Sequence, residues 1–188
     1  MDFVLTPLIC MALNVYFESR NQPLIGQIAT ADTVLNRVHS EDFPDTVCEV
    51  VMQGETYSWN TELPIKNRCQ FSWYCDGLSD EPKDDLAWEK SLMVAHGVLS
   101  GYTENVAEDA LWYHAHYVKP DWASSKRFVV RINDHIFYAK KWLDSIMYTV
   151  NVDFSKSVYT LLKNKKYIIK DNDLKKIKSW VKKINKNL

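Results

Sequence analysis

Glu18 is the residue whose setting speaks most directly of chemistry. It closes the apolar run Phe3–Phe17, and a carboxyl held against hydrophobic surface has its ionised form disfavoured, so its pKa rises. An acid kept neutral in this way can give a proton to a glycosidic oxygen. Arg20 follows two positions on and would lower that pKa if it lay close, so it is expected to point elsewhere. Asp76 and Asp134 are available as the partner carboxylate that a hydrolase wants about 5–9 Å from its acid, but both read as ordinary loop or turn acids. His114, His116 and His135 form the other group with chemical potential. On a strand the first two would share a face, and histidine suits zinc, but there is no helical His-Glu-x-x-His pattern. Cys10, Cys48, Cys69 and Cys75 include no Cys-x-x-Cys pair, which argues against a structural zinc site.

The elements that would position these groups are mostly helical. Residues 3–17 read as a helix that is apolar on most sides, with Pro7 tolerated in its first turns, and Asn21-Gln22-Pro23 ends it. A second helix covers 24–38, with Ile25, Ile28, Ala31, Leu35 and Val38 at core spacing. Asp45 is the expected N-cap of a short helix over 46–53. Residues 54–80 lack a helical period and read as loop plus a short strand at 70–74, on which Phe71 and Trp73 share one face and Gln70 and Ser72 the other. The next helix has Pro82 in its first turn, a stripe of Leu86, Met93, Val94, Val98 and Leu99, and Gly101 as its stop. Residues 127–132 and 135–139 flank Asn133-Asp134 as a hairpin.

Composition sets the outer limits. The chain has 188 residues, 46% hydrophobic and 25% charged, which describes a globular chain with a real core. Aromatic residues make up 13%, enough either to fill a core or to line a sugar cleft, because ring faces pack on the apolar faces of pyranoses. The net charge of −1 conceals an asymmetry: residues 151–188 hold 11 Lys against 3 Asp, while the preceding part is acidic. Leu174, Ile177, Val181 and Ile184 recur at helical spacing among lysines, the outline of a basic amphipathic helix. Such a tail can be drawn to an anionic envelope surface or simply pack on the domain. The organisation expected is a catalytic domain over 1–145 and a basic helical extension over 146–188. The acidic body is a poor nucleic-acid ligand. The N-terminal run lacks a basic n-region and a small-residue cleavage site, so it reads as a buried helix and not an export signal. Cys10, within that run, is expected to be a buried thiol; one disulfide among Cys48, Cys69 and Cys75 is plausible outside a reducing cytosol.

An ordered series of blocks then carries a resemblance. Glu18-Ser19, Pro23, Gly26-Gln27 and the run from Val34 to Val38 come first, followed by the run from Pro44 to Val51. Gln70-Phe71-Ser72-Trp73, Trp112-Tyr113-His114-Ala115, Pro120-Asp121-Trp122-Ala123 and the run from Asp134 to Tyr138 complete it. Together they resemble the SleB/CwlJ-like cell wall hydrolases over roughly residues 10–139. The resemblance implies an α+β, lysozyme-like fold, mostly helical, with a small antiparallel sheet beside a glycan cleft. It implies cleavage of peptidoglycan between N-acetylmuramic acid and N-acetylglucosamine, by lytic transglycosylase or muramidase chemistry. The family's catalytic glutamate lies in a Glu-Ala-Arg segment, and Glu18-Ser19-Arg20 takes that place, with Ser for the commoner Ala. Gln70, Phe71, Ser72, Trp73, Tyr113, His114, His135 and Tyr138 are the expected substrate-binding residues.

The expected partner is therefore a peptidoglycan glycan strand, approached by a monomer that needs no cofactor and no metal. The architecture suits a bacteriophage endolysin made in the cytoplasm and reaching the wall through a holin. Two other readings stay open: a non-catalytic glycan-binding or virion protein, and a zinc-dependent amidase acting on the stem peptide through the histidines.

Overall fold

The computed structural model describes residues 5–141; the basic extension lies outside them. Helix α1 (Pro7–Ser19) begins at Thr6, whose Oγ1 accepts the Ile9 amide at 3.3 Å, with Pro7 in the first turn where a missing N–H costs nothing. Cys10 through Tyr16 are all buried, so α1 is a central helix surrounded by others and not a surface helix with one apolar stripe. Helices α2 (Leu24–Val38), α3 (Val47–Val51) and α4 (Asp85–Leu99) pack on it. The core they share includes Met11, Val15, Val34, Val50, Phe71, Trp73 and Val94.

Two antiparallel sheets accompany the helices. Strands β1 (Gly54–Tyr57) and β2 (Asn60–Cys69) form a hairpin. Strands β3 (Trp112–Ala115), β4 (Arg127–Ile132) and β5 (His135–Ala139) form a three-stranded sheet in the order β3-β5-β4. Asn133 turns the β4–β5 hairpin at φ +50°, in the left-handed region that Asn tolerates. The fold is α+β and lysozyme-like, with the expected helices and the expected 127–139 hairpin in place.

Several expectations are corrected. The cap of α3 is Thr46, not Asp45: its Oγ1 accepts the Glu49 amide at 3.3 Å and donates to Glu49 Oε2 at 2.6 Å. The hairpin over 54–69 was expected as loop. The strand expected at 70–74 is a 3-10 turn (Ser72–Cys75), so Phe71 and Trp73 turn inward through that turn and not by alternation. The expected stripes of α2 and α4 hold in part: Ala31, Val94 and Val98 are buried and Ile28, Leu35, Val38 and Leu99 pack on the core, but Ile25, Leu86 and Met93 are 50%, 80% and 68% exposed, and Gln27, Thr30, Asp32, Thr33, Arg37 and Ser91 share the buried faces.

Cys10 is not a free thiol either. It is bonded to Cys48, joining α1 to α3 across 38 residues, and Cys69 is bonded to Cys75, joining the end of β2 to the 3-10 turn. At the base of that hairpin, a Cβ added to Gly54 would lie 2.7 Å from Cys69 Sγ. Only glycine admits the bridge there.

Candidate active site

Glu18 lies in the last turn of α1, half-buried, and its Oε2 accepts a hydrogen bond from the Tyr113 hydroxyl at 3.2 Å. Burial pushes the carboxyl above the ordinary carboxylate range; the Tyr113 bond and the positive charge of Arg37 pull it part of the way back. Desolvation dominates, so the balance is shifted toward the neutral form. Burial beside Glu18 in turn pushes the Tyr113 phenol well above its ordinary value, which keeps it a proton-bearing donor at any working pH.

Arg20 does point elsewhere. Its Nη1 donates to the Tyr16 carbonyl at 3.3 Å and its guanidinium stands 4.8 Å from the Tyr16 ring centre. The cation that acts on Glu18 is Arg37 of α2, which sequence reasoning placed only within a helix.

Tyr113 reaches Glu18 because of how α2 holds the chain ahead of β3. Asp32 Oδ2 accepts the amides of Val106 and Ala107 at 2.8 and 3.4 Å. Asn36 Nδ2 donates to the carbonyls of Glu108 and Ala110 at 2.8 and 3.0 Å. Arg37 Nε donates to the Leu111 carbonyl at 2.8 Å. Three side chains of one helix thus satisfy the backbone of residues 106–111, and β3 starts at the next residue. In the sequence these three are among six polar or charged residues of the helix, with Gln27, Thr30 and Thr33.

Alternation on the sheet then sorts the expected site residues. Tyr113 pairs with Phe137, and its ring lies 5.1 Å from that of His135 and 5.4 Å from that of Phe137. These three side chains share the inner face, where Phe137 and His135 are buried. Successive side chains on a strand leave by opposite faces, so His114 and Tyr138 occupy the outer one. There the two rings stack at 5.3 Å, His114 Nε2 lies 3.1 Å from the Tyr138 hydroxyl, and Trp122 stands edge-on to both. The expected substrate-binding residues of the sheet thus divide between its two faces, Tyr113 and His135 on the inner one and His114 and Tyr138 on the outer one.

The remaining candidates also divide. Phe71 and Trp73 are core residues, 3% and 7% exposed. Trp73 stacks on Phe17 at 5.0 Å and donates its indole N–H to Asn14 Oδ1 at 3.2 Å. Both support the site from behind. Gln70 and Ser72 are exposed. His135 is held toward its neutral form by burial.

The three histidines do not converge. His114 faces outward, His135 faces inward, and His116 lies past the end of β3 with its Nδ1 3.6 Å from Asp134 Oδ1. Asp134 also accepts from Gln22 Nε2 at 3.2 Å, and Asp76 Oδ1 accepts the Leu78 amide at 2.7 Å. Both acids are thus occupied in turns.

A partly buried acid at the end of the first helix thus faces a small antiparallel sheet in an α+β domain of lysozyme-like fold. The Cell Wall Hydrolase family matches residues 21–138, and the chain belongs to that family. It is 30% identical over 132 residues to the spore cortex-lytic enzymes of Halalkalibacterium halodurans and of Bacillus subtilis, covering 68% of this chain. The chain spans about a third of the length of those relatives, 33% and 35%. Among solved structures, it is similar to the catalytic domain of the germination-specific lytic transglycosylase SleB from Bacillus anthracis. That match has a TM-score of 0.53 at 26% identity, covering 73% of this chain and 97% of the other. The catalytic domain of the Bacillus cereus SleB protein matches with a TM-score of 0.50 at 26% identity, covering 73% and 94%.

Proposed function

We propose that this protein is a peptidoglycan lytic transglycosylase in which Glu18 acts first as general acid and then as general base. The observation that carries the reading is the Glu18 carboxyl, raised in pKa by burial and hydrogen-bonded by Tyr113, in a chain whose structural neighbour is a lytic transglycosylase domain.

The neutral carboxyl gives its proton to the oxygen joining N-acetylmuramic acid to N-acetylglucosamine. The bond from C1 to that oxygen breaks, leaving positive charge spread over C1 and the ring oxygen. The new carboxylate, held by Tyr113, takes the proton of the muramic acid C6 hydroxyl. That oxygen then closes on C1 to give a 1,6-anhydro sugar and regenerate the neutral acid. Atoms and charge balance without water or a second carboxylate. The engagement of Asp76 and Asp134 in turns supports this route over the hydrolytic one, which needs a partner carboxylate.

The setting we propose with it is bacterial wall lysis, as by an endolysin of phage origin that reaches the wall after holin release. Two disulfides support action outside a reducing cytosol. The basic segment 151–188 would add attraction to an anionic envelope.

Glu18→Gln tests the reading. The variant keeps shape and hydrogen bonding but cannot donate the proton, so release of muropeptides from purified peptidoglycan should fall by at least about a thousandfold, general acid–base catalysis contributing at its upper range here. Mass spectrometry of the wild-type digest should show anhydro-muramic ends. Undiminished release by Glu18→Gln removes Glu18 from the mechanism, and reducing ends alone replace the transglycosylase by a hydrolase.

A further inference from the structure

Arg37 is 4% exposed, and taking an ion out of water costs several kcal/mol unless partners compensate. Its compensation is incomplete. Nε is satisfied by the Leu111 carbonyl, and the guanidinium lies 5.0 Å from the ring centres of both Phe43 and Phe71, contacts that favour a cation. Nη1 is buried without a hydrogen-bond partner, and among the described residues Arg37 forms no ion pair. If this side chain served only to hold the Leu111 carbonyl, a neutral amide would do so without the cost of a buried charge. Phe71, one of those two rings, lies 6.5 Å from the ring of Tyr113, whose hydroxyl bonds Glu18, and these two groups, Glu18 and Tyr113, feel the charge.

We propose that Arg37 is a positioning residue for the reaction assigned to Glu18, its buried charge being fixed in place to stabilise the carboxylate that forms when Glu18 gives up its proton. The inference rests on Glu18 as the acid. Before transfer the site holds a neutral acid and one cation; after transfer it holds an anion in the field of that cation. A charge held rigidly by two rings and a backbone carbonyl stabilises that state with no reorganisation at the moment of transfer. Arg37 need not touch the sugar.

Other charges near the acid are accounted for. Arg20 of α1 lies on Tyr16, and Asp32 of α2 is taken up by the amides of Val106 and Ala107. From β3 the facing group is Tyr113; from β5 it is His135, against the Tyr113 ring and held toward neutrality by burial. Asp134, at the turn before β5, is engaged by Gln22 and His116.

The test titrates the Glu18 carboxyl by carbon-13 NMR in the full chain, with Glu18→Gln identifying its signal. In Arg37→Gln the Glu18 midpoint should rise by about one pH unit, the low end for loss of a nearby opposite charge. In Arg37→Lys, which keeps the charge, it should stay within about 0.3 units. Muropeptide release should follow: the alkaline limb of the pH profile moves up with the midpoint in Arg37→Gln, and its plateau falls roughly tenfold. A folded Arg37→Gln whose Glu18 midpoint does not move overturns the proposal. Should that variant not fold, Arg37→Met, neutral and of similar length, decides: a midpoint that rises supports a role for charge, and an unmoved midpoint overturns it. Wild-type protein that titrates as stated but releases no muropeptide refutes the transglycosylase reading and leaves the electrostatic assignment standing.

Discussion

Removing the Tyr113 hydroxyl is the sharpest perturbation available at the site. Tyr113→Phe keeps the ring that packs against His135 and Phe137 and deletes only the donor to Glu18 Oε2. That bond favours the ionised carboxyl, since it lowers a pKa that burial raises. A hydrogen bond to a charged group is worth about 1.5–3 kcal/mol, and one pKa unit corresponds to about 1.4 kcal/mol. The Glu18 midpoint should therefore rise by about one to two units. The sign follows directly: the acid holds its proton to higher pH, so the alkaline limb of activity moves up. The plateau rate should drop about tenfold, because the carboxylate formed on proton transfer loses its donor. The assay is muropeptide release from purified peptidoglycan across the pH range, with circular dichroism as the control that the fold is kept. An alkaline limb that stays in place, or moves down, would show that Tyr113 does not act on Glu18 in solution.

Three further expectations concern other parts of the chain. Replacing Cys10 and Cys48 together by Ala should cost about 4 kcal/mol by the loop-entropy relation for the 38-residue separation; a urea midpoint that does not fall would mean the bridge is absent in solution. His114→Ala, on the outer face of the sheet where its ring contacts Tyr138 and not Glu18, should leave the rate within about threefold of wild type, since a change away from the reacting groups is usually mild; a loss as large as that of Tyr113→Phe would place His114 in the reaction. Deleting residues 151–188 should weaken adsorption to anionic envelopes more at low salt than at high salt, as measured by co-sedimentation; equal loss at both would exclude a charge-based role for the tail.

Much of the scaffold was legible because its signals are local. The Asn21-Gln22-Pro23 break bounds α1, and period-two alternation around Asn133-Asp134 yields the β4–β5 hairpin. Glu18 was legible for the same reason, as an acid closing an apolar run. What failed were inferences about which face is buried. Leu86 and Met93 read as core but are exposed, while Gln27, Asp32 and Arg37, which the apolar spacing did not include, are buried. Apolar periodicity cannot register a helix whose inward side carries hydrogen-bonding groups for another segment's backbone. The β1–β2 hairpin was missed because its strands lack a buried face: β2 is exposed along most of its length and so shows no alternation. The Cys10–Cys48 bridge was missed because a cysteine in an apolar helix looks the same with or without a distant partner.

The register of β3 is the point on which the site turns. Its side chains alternate, so a slip of one residue would bring His114 to Glu18 in place of Tyr113 and turn the tyrosine outward. Pairing with β5 alone sets this weakly, because β3 is a four-residue edge strand. The stronger constraint comes from α2: Asp32, Asn36 and Arg37 engage the backbone at Val106, Ala107, Glu108, Ala110 and Leu111, so that position 112 opens the strand and position 113 meets the acid. A slip would break each of these bonds, and at the buried ones, to Ala107 and Leu111, would leave polar groups unpaired at about 1–3 kcal/mol each. The polar residues that hid α2's buried face from its apolar pattern are therefore the same ones that fix which ring of the sheet faces Glu18. Arg37 does both: its Nε sets the register of the strand, and its charge lies within the field of the acid that the strand's tyrosine touches.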